Sequence, residues 1–196
     1  MDTQIFSYLT ATLTVVTFLP LLGVLIILFT PGEKKNWIRW IATITALATF
    51  AMSLVLLNQF DPNAGMQLEV YAPWVRAGDF NINFHLGVDG LSILLVFLAA
   101  LLTPIAIFSS WHIEDRVKEY MVFFLLLETG MIGVFVALDL FLFYIFWEFT
   151  LVPMYFLIGI WGGQRRLYAA IKFVLYTLAG SILMLLAIIW LGLYAG

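Results

Sequence analysis

Two glutamates, Glu128 and Glu148, stand deep within long apolar segments, where an ionised side chain is costly. Each lies about eight residues from the nearer end of its segment, which is about 12 Å along a helix. A glutamate side chain is too short to reach water from that depth. Burial favours the neutral acid, whereas a nearby cation favours the charged form. A carboxyl group balanced between these effects can exchange a proton when a neighbouring charge moves, as a proton relay requires.

The residues around Glu148 favour the relay interpretation. Pro153 lacks the amide that would bond the carbonyl of Phe149, which leaves a free acceptor and predicts a kink close to Glu148. Tyr144, one helical turn earlier, places its hydroxyl on the same face. Together these groups offer sites for water in an otherwise dry segment. The alternative is a protonated carboxyl group that only joins two helices by a hydrogen bond; ionisable residues within membranes are functional by default, which favours the relay.

Glu128 and Lys172 are weaker candidates for proton transfer. Glu128 stands beside Thr129 and Gly130 in a stretch suited to close helix packing, so a relay and a structural hydrogen bond fit its position equally well. Lys172 lies about five residues, or about 8 Å, inside the last apolar segment, and its long side chain can reach the interface from there. Considered alone, Lys172 is therefore an interfacial anchor.

The composition of the 196-residue chain excludes several classes of protein. Hydrophobic residues make up 64% and charged residues 11%, and the mean hydropathy is +1.06; soluble domains carry roughly a quarter charged residues. The net charge of −3, without a basic stripe, argues against nucleic acid as a partner. The absence of cysteine excludes disulfides, iron–sulfur clusters and cysteine-ligated zinc within this chain. We therefore expect an integral membrane protein surrounded by the lipid bilayer.

Six segments are long enough to cross a membrane as helices, because a span needs about 20 mostly apolar residues. The predicted fold class is an all-α polytopic membrane protein. We divide the chain into residues 1–60 (two spans), 61–89 (an outer segment) and 90–196 (four spans). The predicted spans are Ile5–Phe29, Trp37–Phe60, Gly90–Trp111, Tyr120–Leu138, Leu140–Trp161 and Leu167–Tyr194.

The distribution of basic residues predicts the orientation of these spans. Arg76 is the one Lys or Arg on the side of the even-numbered loops, and Lys172 lies within a span. This bias places the odd-numbered loops in the cytoplasm and the N-terminus in the periplasm. The two histidines, His85 and His112, then fall on opposite sides, which excludes a histidine-based metal site within the chain. The basic residues of the odd-numbered loops and their edges are Lys34, Lys35, Arg39, Arg116, Lys118, Arg165 and Arg166.

The outer segment is predicted to form a β-hairpin. Apolar and polar residues alternate from Phe80 to Leu86, which is typical of a half-buried strand, and Ala77-Gly78-Asp79 supplies a turn before it. Pro73 makes the preceding strand an edge strand. Asp139 is almost the whole connection between the fourth and fifth spans, so these two helices must be antiparallel neighbours.

Several stretches, dense from Phe84 onward, carry a resemblance to a known family. In their order and spacing they closely resemble subunit M of bacterial NADH–quinone oxidoreductase (respiratory complex I), the counterpart of mitochondrial subunit four. The stretches are Phe84-His85-Leu86-Gly87-Val88-Asp89-Gly90-Leu91-Ser92, Ile132-Gly133-Val134-Phe135-Val136-Ala137-Leu138-Asp139-Leu140, Phe146-Trp147-Glu148-Phe149-Thr150-Leu151-Val152-Pro153-Met154-Tyr155-Phe156, Gly159-Ile160-Trp161-Gly162-Gly163 and Lys172-Phe173-Val174-Leu175-Tyr176-Thr177.

The resemblance implies an antiporter-like, proton-translocating subunit of the membrane arm, related to cation/proton antiporters of the Mrp type. It implies that Glu148 pairs with a lysine on a broken seventh helix, and that the changing interaction of the pair drives proton movement. The hairpin would interlock neighbouring subunits of the arm. NADH, FMN, iron–sulfur clusters and quinone would be handled by other subunits, so no cofactor or metal is expected in this chain. The expected location is the bacterial inner (cytoplasmic) membrane.

The sequence departs from the family in its length. It stops after the sixth span, before the family's broken seventh helix and its lysine. We therefore expect an N-terminal part of the family's chain, either as a fragment or with the remainder on another polypeptide. On this expectation the chain holds half of a proton-transfer pair. Lys172 then becomes a stronger candidate for proton transfer, because it is the only cation on the buried side.

Two alternative functions stay open at this stage. The first is a subunit of a Mrp-type cation/proton antiporter or of a membrane-bound hydrogenase, and the soluble proteins that accompany the chain would decide between these and complex I. The second is a non-catalytic membrane scaffold segment whose glutamates only join helices. That alternative predicts that Glu148→Gln leaves activity unchanged.

Overall fold

The computed structural model describes the backbone of residues 3–77 and 80–195, and within the helices and strands the side chains of residues 12–75 and 82–194. Over these residues, six helices are long and apolar enough to cross a membrane, which confirms the all-α polytopic fold with its small hairpin. The elements are α1 (Thr3–Phe29), α2 (Lys35–Gln59), β1 (Gln67–Ala77), β2 (Phe80–Val88), α3 (Ser92–Ser109), α4 (Val117–Val136), α5 (Leu140–Trp161) and α6 (Arg166–Ala195).

Carboxylates fix the starts of α3 and α5. Asp89 Oδ1 accepts hydrogen bonds from the N–H groups of Leu91 (3.1 Å) and Ser92 (2.7 Å), and Ser92 Oγ accepts one from the Asp89 N–H (2.9 Å). The bond from Ser92 is the main cause that holds the pKa of the Asp89 carboxyl below its usual range. Asp139 is the N-cap residue of α5, and its carboxylate accepts from the N–H groups of Phe141 and Leu142. Because the first N–H groups of a helix have no partner within it, these carboxylates stabilise both helix starts.

Helix α4 lies at the centre of the bundle. It packs against α1, α2, α3 and α5, whereas α6 packs mainly on α5. Half of the residues of α4 are buried, compared with 11% of those in the span of α6. A polar side chain on α4 is therefore held away from lipid by neighbouring helices, while one face of α6 is open in this chain.

Two apolar clusters fill the bundle, one at each end. The first, which we call the hairpin-side cluster, lies beneath the hairpin, and the second, the loop-side cluster, lies at the opposite end. The hairpin-side cluster contains Leu13, Val16, Leu56, Leu68, Leu86, Val88, Ile93, Val96, Ala99, Ile132, Val136, Leu142 and Phe146. The loop-side cluster contains Val24, Ile27, Ile38, Ala42, Ala46, Ile107, Val117, Tyr120, Met121 and Leu125.

The interface between α4 and α5 is close because two glycines of α4 face it. A Cβ atom at Gly133 would collide with the ring of Phe146, and one at Gly130 would lie 2.7 Å from Thr150 Cγ2. These contacts confirm that the two helices are antiparallel neighbours, as the short connection at Asp139 predicts. They also fix which face of α5 is turned toward the bundle.

The hairpin is formed as the alternation predicts. Strands β1 and β2 are antiparallel, and Pro73 lies on β1, which pairs with β2 alone among the described strands. The register is irregular between Gln67 and Val70, where Leu68 has a φ of 57°. The predicted turn at Gly78 and Asp79 lies outside the described residues.

The opposite end of the bundle gathers the loops that carry most of the basic residues. The buried Arg39 donates to Glu114 Oε1 (2.8 Å), to the Ile113 carbonyl (2.8 Å) and to the Asn36 side chain (3.1 Å). Lys35 donates to Glu114 Oε2 (3.1 Å). The hydrogen bond from Arg39, followed by that from Lys35, lowers the pKa of the Glu114 carboxyl below its ordinary value. The loops after α1 and α3 are therefore held together at this end, which we call the basic face.

Candidate functional site

Glu128 is completely buried in the centre of the bundle. It lies on the stripe of α4 formed with Met121, Leu125 and Ile132, which packs into both apolar clusters. Neither carboxyl oxygen has a hydrogen-bond partner among the described residues, and the Thr129 hydroxyl also has none. A charged carboxylate without a partner is strongly disfavoured in such a position.

Buried hydroxyl groups occur near the middle of α1, α2 and α3. Thr17 of α1, Thr49 of α2 and Thr103 of α3 are each at most 4% exposed. Each hydroxyl donates to a carbonyl four residues earlier, at 2.9, 3.1 and 2.9 Å respectively. Their oxygens keep free lone pairs and can accept a further hydrogen bond. On each helix the threonine lies between residues of the hairpin-side cluster and residues of the loop-side cluster.

Glu148 faces away from α4, toward a groove between α5 and α6. The groove has a volume of about 340 Å³. Glu148 is half-buried, and its Oε1 atom is buried without a hydrogen-bond partner among the described residues. The side chain thus lies neither in bulk water nor in a sealed core. The groove is lined by Glu148, Leu151, Val152, Tyr155, Phe156, Val174 and Leu178.

Tyr144 and Ser181 extend this site toward α6. The Tyr144 hydroxyl lies near the carboxyl of Glu148 on its own helix and near the hydroxyl of Ser181 on α6. Ser181 is only 3% exposed and donates to the Leu178 carbonyl at 3.2 Å. The sequence analysis selected Tyr144 for its spacing and missed Ser181. The feature of the sequence that could have indicated Ser181 is that it is the single serine within the long apolar span of α6.

Pro153 is buried within α5, and the helix continues through it to Trp161. It lies on the face of α5 that contains Phe146 and Thr150, which meet the glycines of α4. Glu148 is on a different face. Pro153 removes one backbone donor from the helix close to the site, and the predicted kink stays a prediction.

The two glutamates lie at similar depths but are not in contact. Gly130 lies opposite Thr150 and Gly133 lies opposite Phe146, so Glu148 is level with residue 132 of α4. That position is one helical turn, or about 6 Å, from Glu128 along the bundle axis. Glu128 and the two glycines are on nearly opposite faces of α4. The body of α4 therefore separates the two carboxyl groups.

Lys172 is on the other side of α6 from Glu148. Its side chain is exposed, and its Nζ atom lies 5.8 Å from the centroid of the Tyr168 ring. It lines a second groove with Ile171, Leu175 and Tyr176, whereas Val174 and Leu178 line the groove of Glu148. Within the described part of the chain, Lys172 forms no ion pair. The structure therefore does not bring Lys172 and Glu148 together.

The histidines lie in separate surroundings. His85 Nε2 is 2.9 Å from Glu69 Oε2 on the hairpin, and His112 Nδ1 is 3.1 Å from the Ser109 carbonyl near the basic face. No group of three His, Cys, Asp or Glu residues suited to a metal ion occurs among the residues that the structure describes.

Comparisons with known proteins agree with the resemblance found in the sequence. Residues 137–196 match the family described as NADH:quinone oxidoreductase/Mrp antiporter, TM. The chain is 48% identical over 190 residues to NADH-quinone oxidoreductase subunit M of Rhodobacter capsulatus, with 94% of this chain and 36% of that protein covered. It is 44% identical over 208 residues to NADH-ubiquinone oxidoreductase chain 4 of Prototheca wickerhamii, with 98% and 39% covered.

A solved structure supports the same relationship. A chain of respiratory complex I from Thermus thermophilus with bound NADH is similar with a TM-score of 0.75 and 28% identity, over 89% of this chain and 34% of that chain. The present chain thus spans little more than a third of the length of these proteins. The similarity to subunit M and chain 4 that the sequence predicts is confirmed.

Proposed function

We propose that this chain acts in the membrane arm of a proton-translocating NADH–quinone oxidoreductase, with Glu148 as its principal protonatable group. The observation that carries the proposal is the unpartnered buried oxygen of Glu148 in the groove between α5 and α6. Similarity to subunit M supports the choice of complex. The other subunits of the arm would be partners, and NADH, FMN, iron–sulfur clusters and quinone would be bound elsewhere in the complex.

The surroundings of Glu148 are suited to reversible protonation. Tyr144 and Ser181 place hydroxyl groups near the carboxyl, and hydroxyl groups can both donate and accept a hydrogen bond, as a proton path would require. A cation that approaches through the open groove would favour the carboxylate, and its withdrawal would favour the neutral acid. Among the described residues no Lys or Arg pairs with Glu148, so the proposal requires that cation from beyond them.

We assign Glu128 a secondary role in proton transfer. In its protonated form Glu128 would donate to a buried water molecule, since no described side chain lies within hydrogen-bond distance of its carboxyl oxygens. Its separation from Glu148 by the body of α4 means that a direct exchange between the two is not part of the proposal. Lys172 takes the role of an anchor at the interface rather than that of the partner of Glu148.

The orientation in the membrane is also part of the proposal. The basic face would lie in the cytoplasm, and the hairpin and the N-terminus would lie in the periplasm of a bacterium, because basic loops are retained in the cytoplasm. Residues 1–60, 61–89 and 90–196 would then serve as the first helix pair, the periplasmic segment and the start of an antiporter-like unit.

The direct test is Glu148→Gln in the assembled complex. Glutamine keeps the shape of the side chain and its capacity for hydrogen bonds but cannot exchange a proton. Assembly should be retained, and the membrane potential formed on addition of NADH should fall. Glu33→Gln is the matched control, since Glu33 is exposed at the basic face. Normal proton translocation by an assembled Glu148→Gln complex would overturn the relay role and favour a scaffold function.

A cation/proton antiporter of the Mrp type is the second candidate, because the matching family description covers both functions. In that case everted vesicles that contain the native protein would exchange sodium for protons without any electron donor. The hydrogenase alternative would be favoured by co-purification with a nickel–iron protein. A proton gradient that depends strictly on NADH would exclude both.

A further inference from the structure

We propose that Asp139 is a positioning residue that ties helix α5, and with it Glu148, to the hairpin. This inference rests on the proposed role of Glu148, but the link itself is a feature of the fold. The inference is based on the hydrogen bonds of the Asp139 carboxylate. One of its oxygens accepts from the helix, and the other accepts from the hairpin.

The first oxygen caps α5. Asp139 Oδ1 accepts from the N–H groups of Phe141 at 2.9 Å and Leu142 at 3.2 Å. The second oxygen, Oδ2, accepts from the N–H of Asn83 on β2 at 2.9 Å. A helix cap needs only one accepting oxygen, and a serine or an asparagine supplies it as well as an aspartate. The second bond is therefore not explained by the needs of the helix.

The residues beside Asp139 extend the same contact along β2. Leu138 donates its N–H to the carbonyl of His85 at 2.9 Å, and Ala137 forms a bridge with Leu86. Gly87 leaves room for Leu138, because a Cβ atom at Gly87 would lie 2.7 Å from Leu138 Cδ1. Residues 137–139 thus cover the edge of β2 that β1 leaves open. The hairpin is joined to the connection between α4 and α5 through this edge.

This junction reaches Glu148 through a continuous helix. Glu148 lies nine residues beyond Asp139 in α5, which is about 13.5 Å along the axis. Phe146 is seated against Gly133 of α4, so α5 does not move independently of the end of α4. A displacement of β2 therefore carries the start of α5 with it and alters the position of Glu148 relative to Tyr144, Ser181 and the groove.

Three substitutions at Asp139 separate the cap from the link. Asp139→Asn and Asp139→Ser keep an accepting oxygen for the cap but lack the second accepting oxygen. Asp139→Ala removes both functions. If Asp139 positions α5, all three variants of the complex lose proton translocation. If it is only a cap, Asn and Ser behave as wild type while Ala is impaired, and the proposal is overturned.

Asn83→Pro breaks the same bond from the other side. It removes the N–H donor of β2 and leaves the cap of α5 intact. If the Asp139 variants fail to assemble, this variant still tests the link. Hydrogen exchange measured on the assembled complex should become about tenfold faster at the N–H of Leu138 when either partner is changed, since a neighbouring hydrogen bond is lost. Asn83→Ala keeps the N–H and should leave this exchange unchanged.

The matched control for charge is Asp89→Asn. Asp89 lies at the same end of the bundle and caps α3, but its hydrogen bonds to N–H groups remain within the start of that helix. Proton translocation should be retained in this variant. Unchanged hydrogen exchange in Asp139→Asn and Asn83→Pro would overturn the link itself. Faster exchange with normal proton translocation in these two variants would overturn the positioning role of Asp139. Normal proton translocation in Glu148→Gln would overturn the proposed function instead.

Discussion

Glu128 and Glu148 are the same residue type at similar depth, yet their surroundings give them different chemistry. Glu128 is sealed inside the bundle, and both of its oxygens lack partners among the described residues. Glu148 borders a groove and lies near the hydroxyl of Tyr144. A group that changes its charge during turnover needs a path for protons and a route for a counter-charge. The open groove beside Glu148 is compatible with both requirements, whereas Glu128 has no hydrogen-bond partner among the described residues.

Glu128→Met tests whether the buried carboxyl group of Glu128 lowers the free energy of unfolding. Leaving a buried polar group without a partner costs about 1–3 kcal/mol, and methionine fills similar space without polar atoms. We therefore expect the free energy of unfolding to rise by about that amount and proton translocation to fall. Thermal unfolding and NADH-driven membrane potential of the purified and reconstituted complex would measure the two effects.

The control for Glu128→Met is Leu125→Met, one turn earlier on the same buried stripe of α4. A change between two apolar residues of similar volume costs less than about 1.5 kcal/mol. If Glu128→Met proves more destabilising than Leu125→Met, then Glu128 has a partner such as a buried water molecule. Its role would then be that of a structural hydrogen bond between helices.

At the scale of residues, the sequence identifies which side chains are unusual but not what surrounds them. Glu128 and Glu148 stand out because carboxyl groups are costly in apolar spans. Ser181 does not stand out, since serine is tolerated in membrane helices, and only the fold places it near Tyr144. Lys172 is only two residues from Val174, but the rotation of the helix places the two residues in different grooves.

The contact between α4 and α5 depends on the absence of a side chain at Gly133. We expect Gly133→Ala to destabilise the protein by about 1–3 kcal/mol, because the added methyl group overlaps the ring of Phe146 and forces the helices apart. The thermal midpoint of the purified protein measures this effect. Adding Phe146→Leu to Gly133→Ala should restore part of the lost stability.

Gly159→Ala is the matched control for Gly133→Ala. Gly159 is also within a membrane helix, but a Cβ atom there would lie 3.5 Å from Ala170 Cβ, which is an ordinary van der Waals distance. The control should leave the thermal midpoint unchanged or raise it slightly, since alanine favours the helix. Equal destabilisation by both substitutions would show that general helix effects, rather than the contact with Phe146, account for the loss.

At the scale of elements, hydropathy locates the six helices because each must be apolar along a similar length. It locates their ends less well. The fourth span is predicted to reach Leu138, whereas α4 ends at Val136 and the next three residues lie along the edge of β2. Ala137 and Leu138 are apolar in either arrangement, so hydropathy does not distinguish a membrane helix from a strand-like segment. The backbone hydrogen bond between Leu138 and His85 holds these residues in the strand-like arrangement.

The basic face is held together by charges, and its stability should depend on pH. Arg39 and Lys35 lower the pKa of Glu114 from the ordinary value of 4.5, so the folded state favours the carboxylate. The resulting stability is present above the ordinary pKa and is lost as the pH falls below it, through the lowered folded value. Glu114→Gln should therefore reduce the loss of thermal stability on acidification. Glu33→Gln, which removes an exposed acid without an ion pair among the described residues, should keep the wild-type dependence.

The proposed orientation of the whole molecule in the membrane rests on the contrast between its two ends. The basic face carries Lys34, Lys35 and Arg39 together with the basic residues of the other odd-numbered loops, whereas the end with the hairpin carries only Arg76 among the Lys and Arg residues. Because the chain contains no cysteine, single cysteines can report the position of each end without background from this chain. Asn63 and Glu33 are exposed at opposite ends and are suitable positions.

We expect a membrane-impermeant maleimide to label Asn63→Cys in cells whose outer membrane alone has been opened. Glu33→Cys should react only after the inner membrane has been disrupted, and both should react in detergent, which controls for reactivity. Basic loops resist translocation against the membrane potential, so the opposite pattern would require seven basic residues to cross it. Such a pattern would overturn the orientation, and the hairpin would then face the cytoplasm, with Glu148 about 12 Å from the cytoplasmic rather than the periplasmic end of α5.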